Sequence, residues 1–403
     1  MQQLRLALRR MVNSIAFLPT VVGGSMILTA LLHVFFMDDA WIRGTALERL
    51  AITNGDSARS VLAAVIGGMF TLVIFTYTMV MNVLSRSISN YSPRLLTLLL
   101  GEQYHQFTMG FTLGTIAYAL VLYFGIDADP KSLSAALGVS VVVLLVGVSL
   151  GLYVLFIHQT SKNIHVNFLL RYSFNNTWAL LEKYAQQQPH LDWTEERPEL
   201  SVELHNPHPG YLSDLELRDL ATWARRHERT VRLCMAPGVF VPRGAVLFQL
   251  DRPVGARAER HLRRLVRVSA EEPIRVFEVG YKHLTEVAVK AMSPALNDPS
   301  TALTVLDYLT ELFRRLLTLR GGNVFSREGG TVHFRRVPAQ MLLGHLYAEM
   351  AAYFKDDPVL RSATERSLDE LARHAATHRT DDWVNSLETV RREVARTFAA
   401  AAP

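Results

Sequence analysis

The sequence predicts a mainly α-helical protein. A four-helix transmembrane domain is followed by a cytoplasmic tail with a small, barrel-sandwich-like β module and an α-helical domain. The first 160 residues contain four long apolar runs, whereas the residues after them are mostly polar. Each run is close to the ~20 residues that a helix needs to cross the hydrocarbon core of a bilayer. The four runs are Ala16–Phe36, Ser60–Leu84, Phe107–Phe124 and Leu133–Ile157.

The first run follows Arg5, Arg9 and Arg10 and so begins like a secretory signal. The apolar part of such a signal spans only about 7–15 residues and ends in small residues at a cleavage site. Here the run is longer and continues through Phe36 to Asp38. We therefore expect the first run to be retained as a membrane-spanning helix.

The basic residues predict the orientation of the helices, because cytoplasmic loops are enriched in Lys and Arg. The short turn Gly125–Ser132 has a single basic residue, Lys131, beside two Asp. The basic residues at the opposite ends of the helices are Arg5, Arg9, Arg10, Arg86, Arg94, Lys162 and Arg171. The expectation is a multi-pass protein of the bacterial inner (cytoplasmic) membrane with both termini in the cytoplasm.

Changes in composition divide the chain into four segments. A helical pattern over His165–Gln188 follows the membrane domain and ends at a Pro-rich break, Pro189–Pro198. Strand-like alternation then begins, and helical periodicity resumes at Arg252. The predicted segments are a transmembrane domain at 1–164, a connecting helix and linker at 165–197, a small β module at 198–251 and an α-helical domain at 252–403.

Short strands separated by Pro-Gly and Pro-Arg-Gly turns predict the β module. Its pattern resembles the barrel-sandwich shape of biotinyl and lipoyl domains. Those domains carry their prosthetic group on a Lys in a hairpin, but no Lys occurs between Pro198 and Leu250. A swinging-arm carrier is therefore not expected, and nothing else in the sequence implies a cofactor.

The segment after Arg252 is predicted to be mostly helical, with one hairpin around Gly329-Gly330. The hairpin is expected within Val324–Val337. The helices are expected at Pro273–Met292, Pro299–Leu319, Pro338–Phe354, Pro358–Thr377 and Asp381–Ala400.

The second membrane helix carries a polar stripe of Thr71, Thr78, Asn82 and Ser85. The spacings of 7, 4 and 3 residues keep these side chains on one helical face. Polar side chains in hydrocarbon are costly unless they face protein or water. The stripe is therefore interpreted either as the lining of a pore or substrate path, or as a set of hydrogen bonds between helices.

Two glycine pairs predict close contacts between membrane helices. They are Gly110-x-x-x-Gly114 in the third run and Gly147-x-x-x-Gly151 in the fourth run. This spacing lets helix backbones approach each other. Together with the large tail, these small-residue faces are typical of a homo-oligomer, in which the stripe could surround a central axis.

Two further segments are distinctive. Ser89–Leu96 follows the second membrane helix and contains Tyr91, Ser92, Pro93 and Arg94. Ala291–Pro299 lies between two helices of the tail and contains Ser293, Pro294, Asn297, Asp298 and Pro299. With the four helices and the Gly210-Tyr211 segment, they resemble a bacterial family of predicted membrane proteins, domain of unknown function 2254. The resemblance covers nearly the whole chain and implies the architecture, but it brings no assigned activity.

Asp298 stands directly before the helix that is predicted to begin at Pro299. Proline suits the first position of a helix, and an Asp before it accepts hydrogen bonds from free backbone amides. Asn297 is expected to hold the tight turn. The alternative is that Asn297 and Asp298 bind an ion or a neighbouring subunit.

A basic stretch follows the β module and contains Arg257, Arg260, Arg263 and Arg264. On the inner side of the membrane it could contact anionic lipid headgroups, at about 1 kcal/mol per residue near the surface. A solvated or salt-bridged helix face is equally consistent with the pattern, because Asp251 and Glu259 are near. Nucleic acid is not an expected partner, since no known binding motif or aromatic platform accompanies the charge.

The sequence lacks two common catalytic motifs. H-E-x-x-H and G-x-x-x-x-G-K-[ST] are both missing. The histidines are scattered, so no metal site is expected, and the single cysteine, Cys234, excludes an intrachain disulfide. We therefore expect a protein that is not an enzyme.

The leading hypothesis is an oligomeric ion channel or channel-like transporter with a cytoplasmic gating domain. The alternative is a membrane-anchored sensor or scaffold whose tail binds a partner or ligand.

Overall fold

The computed structural model describes residues 17–36, 55–90, 103–125, 133–163, 166–195, 198–270, 272–273, 275–378 and 381–400. The described residues form two compact units, one up to Phe168 and one from Leu169 onward. The motif residues Tyr91, Ser92, Pro93 and Arg94 lie outside the described residues.

The first unit consists of four long helices. Each contains a segment that is long enough and apolar enough to cross a membrane, which confirms the four predicted spans. The helices are α1 (Phe17–Phe36), α2 (Gly55–Asn90), α3 (Gln103–Gly125) and α4 (Leu133–Asn163). The candidate spans within them are Phe17–Phe36, Ala58–Met79, Tyr104–Gly125 and Ala136–Gln159.

Helix α1 packs most closely against α3, and glycines of α3 make this possible. A Cβ atom on Gly110 would lie 2.7 Å from the Cα of Pro19, and one on Gly114 would overlap the side chain of Met26. The core of the unit is an apolar cluster to which all four helices contribute. Its buried members are Ala30, Ala58, Leu62, Tyr118, Ala119, Leu122, Val139 and Val142.

The second unit mixes helices with short strands. Its helices are α5 (Val166–Ala185), α6 (Leu217–His227), α7 (Ala256–Leu265), α8 (Phe277–Ala291), α9 (Pro299–Leu317), α10 (Ala339–Phe354), α11 (Pro358–Thr377) and α12 (Asp381–Ala399). Its strands are β1 (Leu191–Asp192), β2 (Val202–His205), β3 (Gly210–Leu215), β4 (Val231–Leu233), β5 (Phe240–Val241), β6 (Val246–Leu250), β7 (Val266–Ser269), β8 (Val324–Arg327) and β9 (Gly330–Phe334).

The strands form two sheets. The larger has the order β1-β8-β9-β4-β6-β2 and the smaller has the order β5-β3-β7. In the larger sheet β4 and β9 are parallel, and all other neighbours are antiparallel. One face of this sheet is apolar and fully buried, with Leu233, Phe248 and Phe325 among its side chains. Helix α6 packs against the β8–β9 hairpin.

The β structure extends beyond residues 198–251, the segment that the sequence predicts for it. Strands β1, β7, β8 and β9 all lie outside that segment, and the predicted hairpin at Val324–Val337 supplies two strands of the larger sheet. The parallel pairing of Val231 with Val332 joins residues about a hundred positions apart. Local periodicity does not reveal such long-range pairs, so the β module is not confined to its sequence segment.

The helices from α8 onward pack around buried aromatic side chains. Tyr281, Phe313 and Tyr347 are fully buried. The hydroxyl of Tyr281 donates to the carbonyl oxygen of Leu312 at 2.7 Å. Burial raises the pKa of Tyr347 to about 12. Both tyrosines therefore remain neutral, as a buried group with no opposite charge requires.

Candidate pore-lining face and other candidate sites

The polar stripe lies on the face of α2 that points away from the rest of the unit. Thr71, Thr78, Asn82 and Ser85 are all exposed. The buried side chains of α2, among them Leu62 and Met69, lie on the opposite side of the helix by their spacing. Within one chain the stripe therefore faces outward, toward lipid or another molecule.

The two threonines of the stripe already satisfy their hydroxyl protons. Thr71 donates to the carbonyl oxygen of Gly67 at 3.0 Å, and Thr78 donates to that of Ile74 at 2.8 Å. A hydroxyl that donates to its own helix still presents its oxygen lone pairs outward as acceptors. Asn82 lies three residues past Met79, where the candidate span ends. The stripe therefore combines an oxygen-rich middle with an amide at one end of the span.

The interior of the first unit contains a second polar row, which the sequence analysis missed. Thr108, Thr112 and Thr115 of α3 are buried, and Thr115 lies 3.3 Å from the hydroxyl of Ser149 in α4. Each of these threonines donates to a carbonyl of its own helix. The spacings of 4 and 3 residues are the signal that could have revealed the row. Between these described helices the row is a packed seam with its hydroxyls engaged.

The two glycine pairs have different surroundings. Gly110 and Gly114 contact α1 of the same chain. Around Gly147 and Gly151 there is open space, since a Cβ atom on either would meet nothing within 4 Å. Gly67 and Gly68 of α2 are equally open. The close approach predicted for the third run occurs within the chain, whereas the glycines of the fourth run remain available to another molecule.

The Ser293–Pro299 motif is the turn between α8 and α9. Asn297 has a left-handed backbone conformation with φ of 44°, and its backbone N–H donates to the carbonyl oxygen of Ser293 at 3.0 Å. Asp298 caps α9, because its carboxylate accepts from the amide of Thr301 at 3.2 Å and from the Thr301 hydroxyl at 2.6 Å. Each carboxylate oxygen thus accepts one hydrogen bond. This geometry agrees with the capping interpretation of Asp298.

The basic stretch forms α7 and part of β7. Arg257, Arg260 and Arg264 are exposed at spacings that place them on one face. Arg263 differs, because it pairs with Glu259 at 2.9 Å and donates to the carbonyl oxygen of His205 at 2.6 Å. Of the four arginines considered for lipid contact, Arg263 is the one that is half-buried.

Metal ligands do not cluster in the part of the chain that the structure describes. No three His, Cys, Asp or Glu side chains there are close enough to hold a metal ion.

The comparisons with known proteins agree with the membrane architecture. Uncharacterized protein MT1328 of Mycobacterium tuberculosis is 26% identical over 285 residues, which cover 66% of this chain and 54% of that protein. Uncharacterized protein Mb1321c of Mycobacterium bovis shows the same identity and coverage. The chain thus spans about half the length of these curated relatives. No solved structure matches the chain. The family model described as Predicted membrane protein (DUF2254) matches residues 12–370, and the chain therefore belongs to this family.

Proposed function

We propose that the protein is an oligomeric ion channel or channel-like transporter of a bacterial inner membrane, with both termini in the cytoplasm. In this proposal α2 of each copy turns Thr71, Thr78, Asn82 and Ser85 toward a central path. The C-terminal unit gates the path. The observation that carries the proposal is the position of the stripe on the outward face of α2, opposite its buried face.

The chemistry of the stripe suits cations and water. Thr71 and Thr78 lie within the candidate span and donate their protons inward to their own helix. Their oxygen lone pairs then point outward, and oxygen ligands that replace a hydration shell are what a cation path requires. Asn82 would form the mouth of the path, where its amide can hydrogen-bond to water.

Open glycines support an assembly of several copies. Gly67 lies on the same face of α2 as the stripe, one turn before Thr71, and Gly147 and Gly151 lie on an open part of α4. Small residues on exposed helix faces let the backbones of neighbouring membrane helices approach closely. Contacts of this kind would bring the stripes of neighbouring copies together.

The second unit adds one contact to the proposal. The exposed arginines Arg257, Arg260 and Arg264 would contact anionic lipid headgroups, whereas Arg263 would not. The proposal assigns the protein neither a catalytic activity nor a nucleic-acid partner.

A membrane-anchored sensor or scaffold is the second candidate. One observation favours it: the hydroxyl protons of Thr71 and Thr78 are satisfied within their own helix, so this face does not require water. Copies could then pack through a dry face, with Thr78 and Asn82 hydrogen-bonded between subunits. No continuous path would exist in that assembly.

Cation flux from proteoliposomes separates the two candidates. Vesicles that contain the purified protein should leak K⁺, and Asn82→Leu should lower the leak by about tenfold or more by placing an apolar side chain at the mouth. Thr78→Val should also lower it. The matched control is Thr29→Val, because Thr29 is an exposed threonine of α1 with the same bond to its own helix, at 2.8 Å. The detergent-solubilised mass of each variant should equal that of the parent protein.

Two results would contradict the channel. One is vesicles that stay tight to K⁺ and Cl⁻ across voltage, pH and membrane tension. The other is a leak that Thr29→Val lowers as much as Thr78→Val.

A further inference from the structure

The larger sheet of the second unit has one polar face, and this face lines a groove of about 1660 Å³. On it Gln249, Arg232 and His333 lie side by side on β6, β4 and β9. The alternate residues of the same strands, such as Leu233 and Phe334, are buried on the other face. Small-molecule sites usually occupy 300–1,000 Å³, so the groove has room for an extended ligand.

The groove is rich in positive charge. Four arginines line it, namely Arg232, Arg320, Arg335 and Arg336, against the carboxylates of Glu195 and Glu278. Arg336 is neutralised by Glu278, which accepts from its Nε at 2.7 Å. Arg232 donates only to uncharged oxygens, those of Gln249 at 3.2 Å and Pro198 at 3.4 Å. Among the residues that the structure describes, no carboxylate forms a salt bridge with Arg232 or Arg335.

Arg232, Arg335 and His333 converge around Cys234. Burial raises the pKa of the Cys234 thiol, while the charges of Arg232 and Arg335 oppose that rise. Burial also lowers the pKa of His333, and the positive charge of Arg232 lowers it further. Two arginines and a neutral histidine with a strand backbone between them form a site for a phosphate, since a guanidinium fork matches phosphate oxygens.

A flat aromatic surface stands at the other side of the groove. Trp193 follows β1, lines the groove and is 69% exposed. In the sheet β1 and β9 are separated by β8 alone, which places them about 10 Å apart at the usual strand spacing. A nucleoside can bridge such a distance, and an exposed indole offers a face on which a base can stack.

A buried acceptor lies in the same groove. Glu278 is only 7% exposed, and its Oε2 atom has no hydrogen-bond partner in the described part of the chain. A buried acceptor without a donor is energetically unfavourable. A hydroxyl or amino group of a ligand would supply that donor.

We propose that this groove binds a nucleotide. The phosphates contact Arg232, Arg335 and His333, the base stacks on Trp193, and a ribose hydroxyl or ring amine donates to Glu278. The proposal does not depend on the channel, because every residue in it belongs to the second unit.

The rate at which Cys234 is alkylated can show whether a ligand occupies the groove, because Cys234 is the only cysteine of the chain and lines the cavity. The full-length protein in detergent is treated with iodoacetamide at pH 8.5, and alkylation is followed by mass spectrometry. The thiolate is the reactive form, so the raised pKa makes the reaction slow at pH 7 and faster as the pH rises. ATP, GTP, CTP and UTP are each tested as protecting ligands. Two compounds are the controls: adenosine, which lacks the phosphates, and tripolyphosphate, which lacks the base and the ribose.

At least one nucleoside triphosphate should slow the alkylation of Cys234 in a saturable manner, more strongly than adenosine or tripolyphosphate. Trp193→Leu should raise the half-protecting concentration about fivefold or more, the lower end of what loss of one stacked base costs. Arg335→Gln should raise it at least as much, because it removes a charge-assisted contact with phosphate. Both side chains are exposed, so these variants should fold. Arg243→Gln, which removes an exposed arginine outside the groove, should leave the concentration unchanged.

Three results would overturn the proposal. The first is no protection by any of the four nucleotides. The second is equal protection by tripolyphosphate, with no effect of Trp193→Leu, because this would indicate an anion site without base recognition. The third is an equal loss of protection in Arg243→Gln and Arg335→Gln, because general charge would then explain it.

Discussion

Replacing Glu278 by Leu should lower the free energy of unfolding by about 3–5 kcal/mol, because the change leaves a buried charge without its partner. The side chain of Glu278 is 8% exposed and that of Arg336 is 20% exposed. The guanidinium of Arg336 also lies 3.9 Å from the ring centre of Tyr184 and 4.6 Å from that of Phe277. Burial disfavours the charge of Arg336, but Glu278 and Tyr184 together outweigh this effect and raise the pKa of the guanidinium.

The double variant Glu278→Leu with Arg336→Met is the matched control. Replacing both members of a buried ion pair by apolar residues is often nearly neutral, so the double variant should be more stable than Glu278→Leu alone. Urea unfolding of the detergent-solubilised full chain, followed by tryptophan fluorescence, measures the difference. Trp178, Trp193, Trp223 and Trp383 all belong to the second unit. Equal stability of the single and double variants would contradict this account, because the charge of Arg336 would then cost nothing when its partner is removed.

Gly330→Ala should be strongly destabilising, although it adds only one methyl group. A Cβ atom on Gly330 would overlap the carbonyl oxygen of Ala221 and would lie 3.2 Å from the Cβ of Arg225, both in α6. Backbone cannot move aside as a flexible side chain can, so α6 would have to shift from the β8–β9 hairpin. Overpacking of this kind costs about 1–3 kcal/mol.

Gly321→Ala provides the comparison for Gly330→Ala. Gly321 has open space around its Cα and is not among the residues with positive φ. The same substitution there should leave the urea midpoint unchanged or raise it slightly, because alanine restricts the unfolded chain. If both variants shifted the midpoint equally, the close packing of α6 on β9 would not explain the effect.

Hydropathy alone predicted the four membrane helices, because each membrane-spanning helix corresponds to one continuous run of apolar residues in the sequence. The helices extend past the apolar runs, as in α2, which covers Gly55–Asn90 rather than Ser60–Leu84. Backbone hydrogen bonding continues into polar residues where hydropathy has already fallen. The hairpin of β8 and β9 was also predicted from a local signal, Gly329-Gly330. In the structure, Glu328 and Gly329 both have the positive φ that a tight turn needs.

The pairing of the sheets was beyond local reasoning. Strand β7 follows the basic helix α7 and pairs with β3, but the arginines of this segment indicated only a charged patch. The parallel partner of β4 is β9, which lies about a hundred residues away. Such partners are selected by tertiary packing.

Of the candidate sites, the sequence predicted the stripe and the cap but not the groove. The stripe could be predicted because its residues are regularly spaced within one helix. The cap could be predicted because Asp298 stands directly before the start of a helix. In the groove, Arg232, Cys234, His333 and Arg335 come from β4, β9 and the residues that follow them, and Trp193 comes from beyond β1. No local motif joins these residues, so only the folded sheet brings them together.

In the proposed channel, the polar face of α2 meets the same face of another copy in the membrane. Cross-linking of an introduced cysteine tests it most directly, in a Cys234→Ser background that has no other thiol. Thr78→Cys, on the outward face, should yield covalent dimers with a short bifunctional thiol reagent in native membranes. Met69→Cys, at a position that is 3% exposed and faces the bundle, should not. If Thr78→Cys stayed monomeric, or if Met69→Cys cross-linked equally well, the claim would be contradicted.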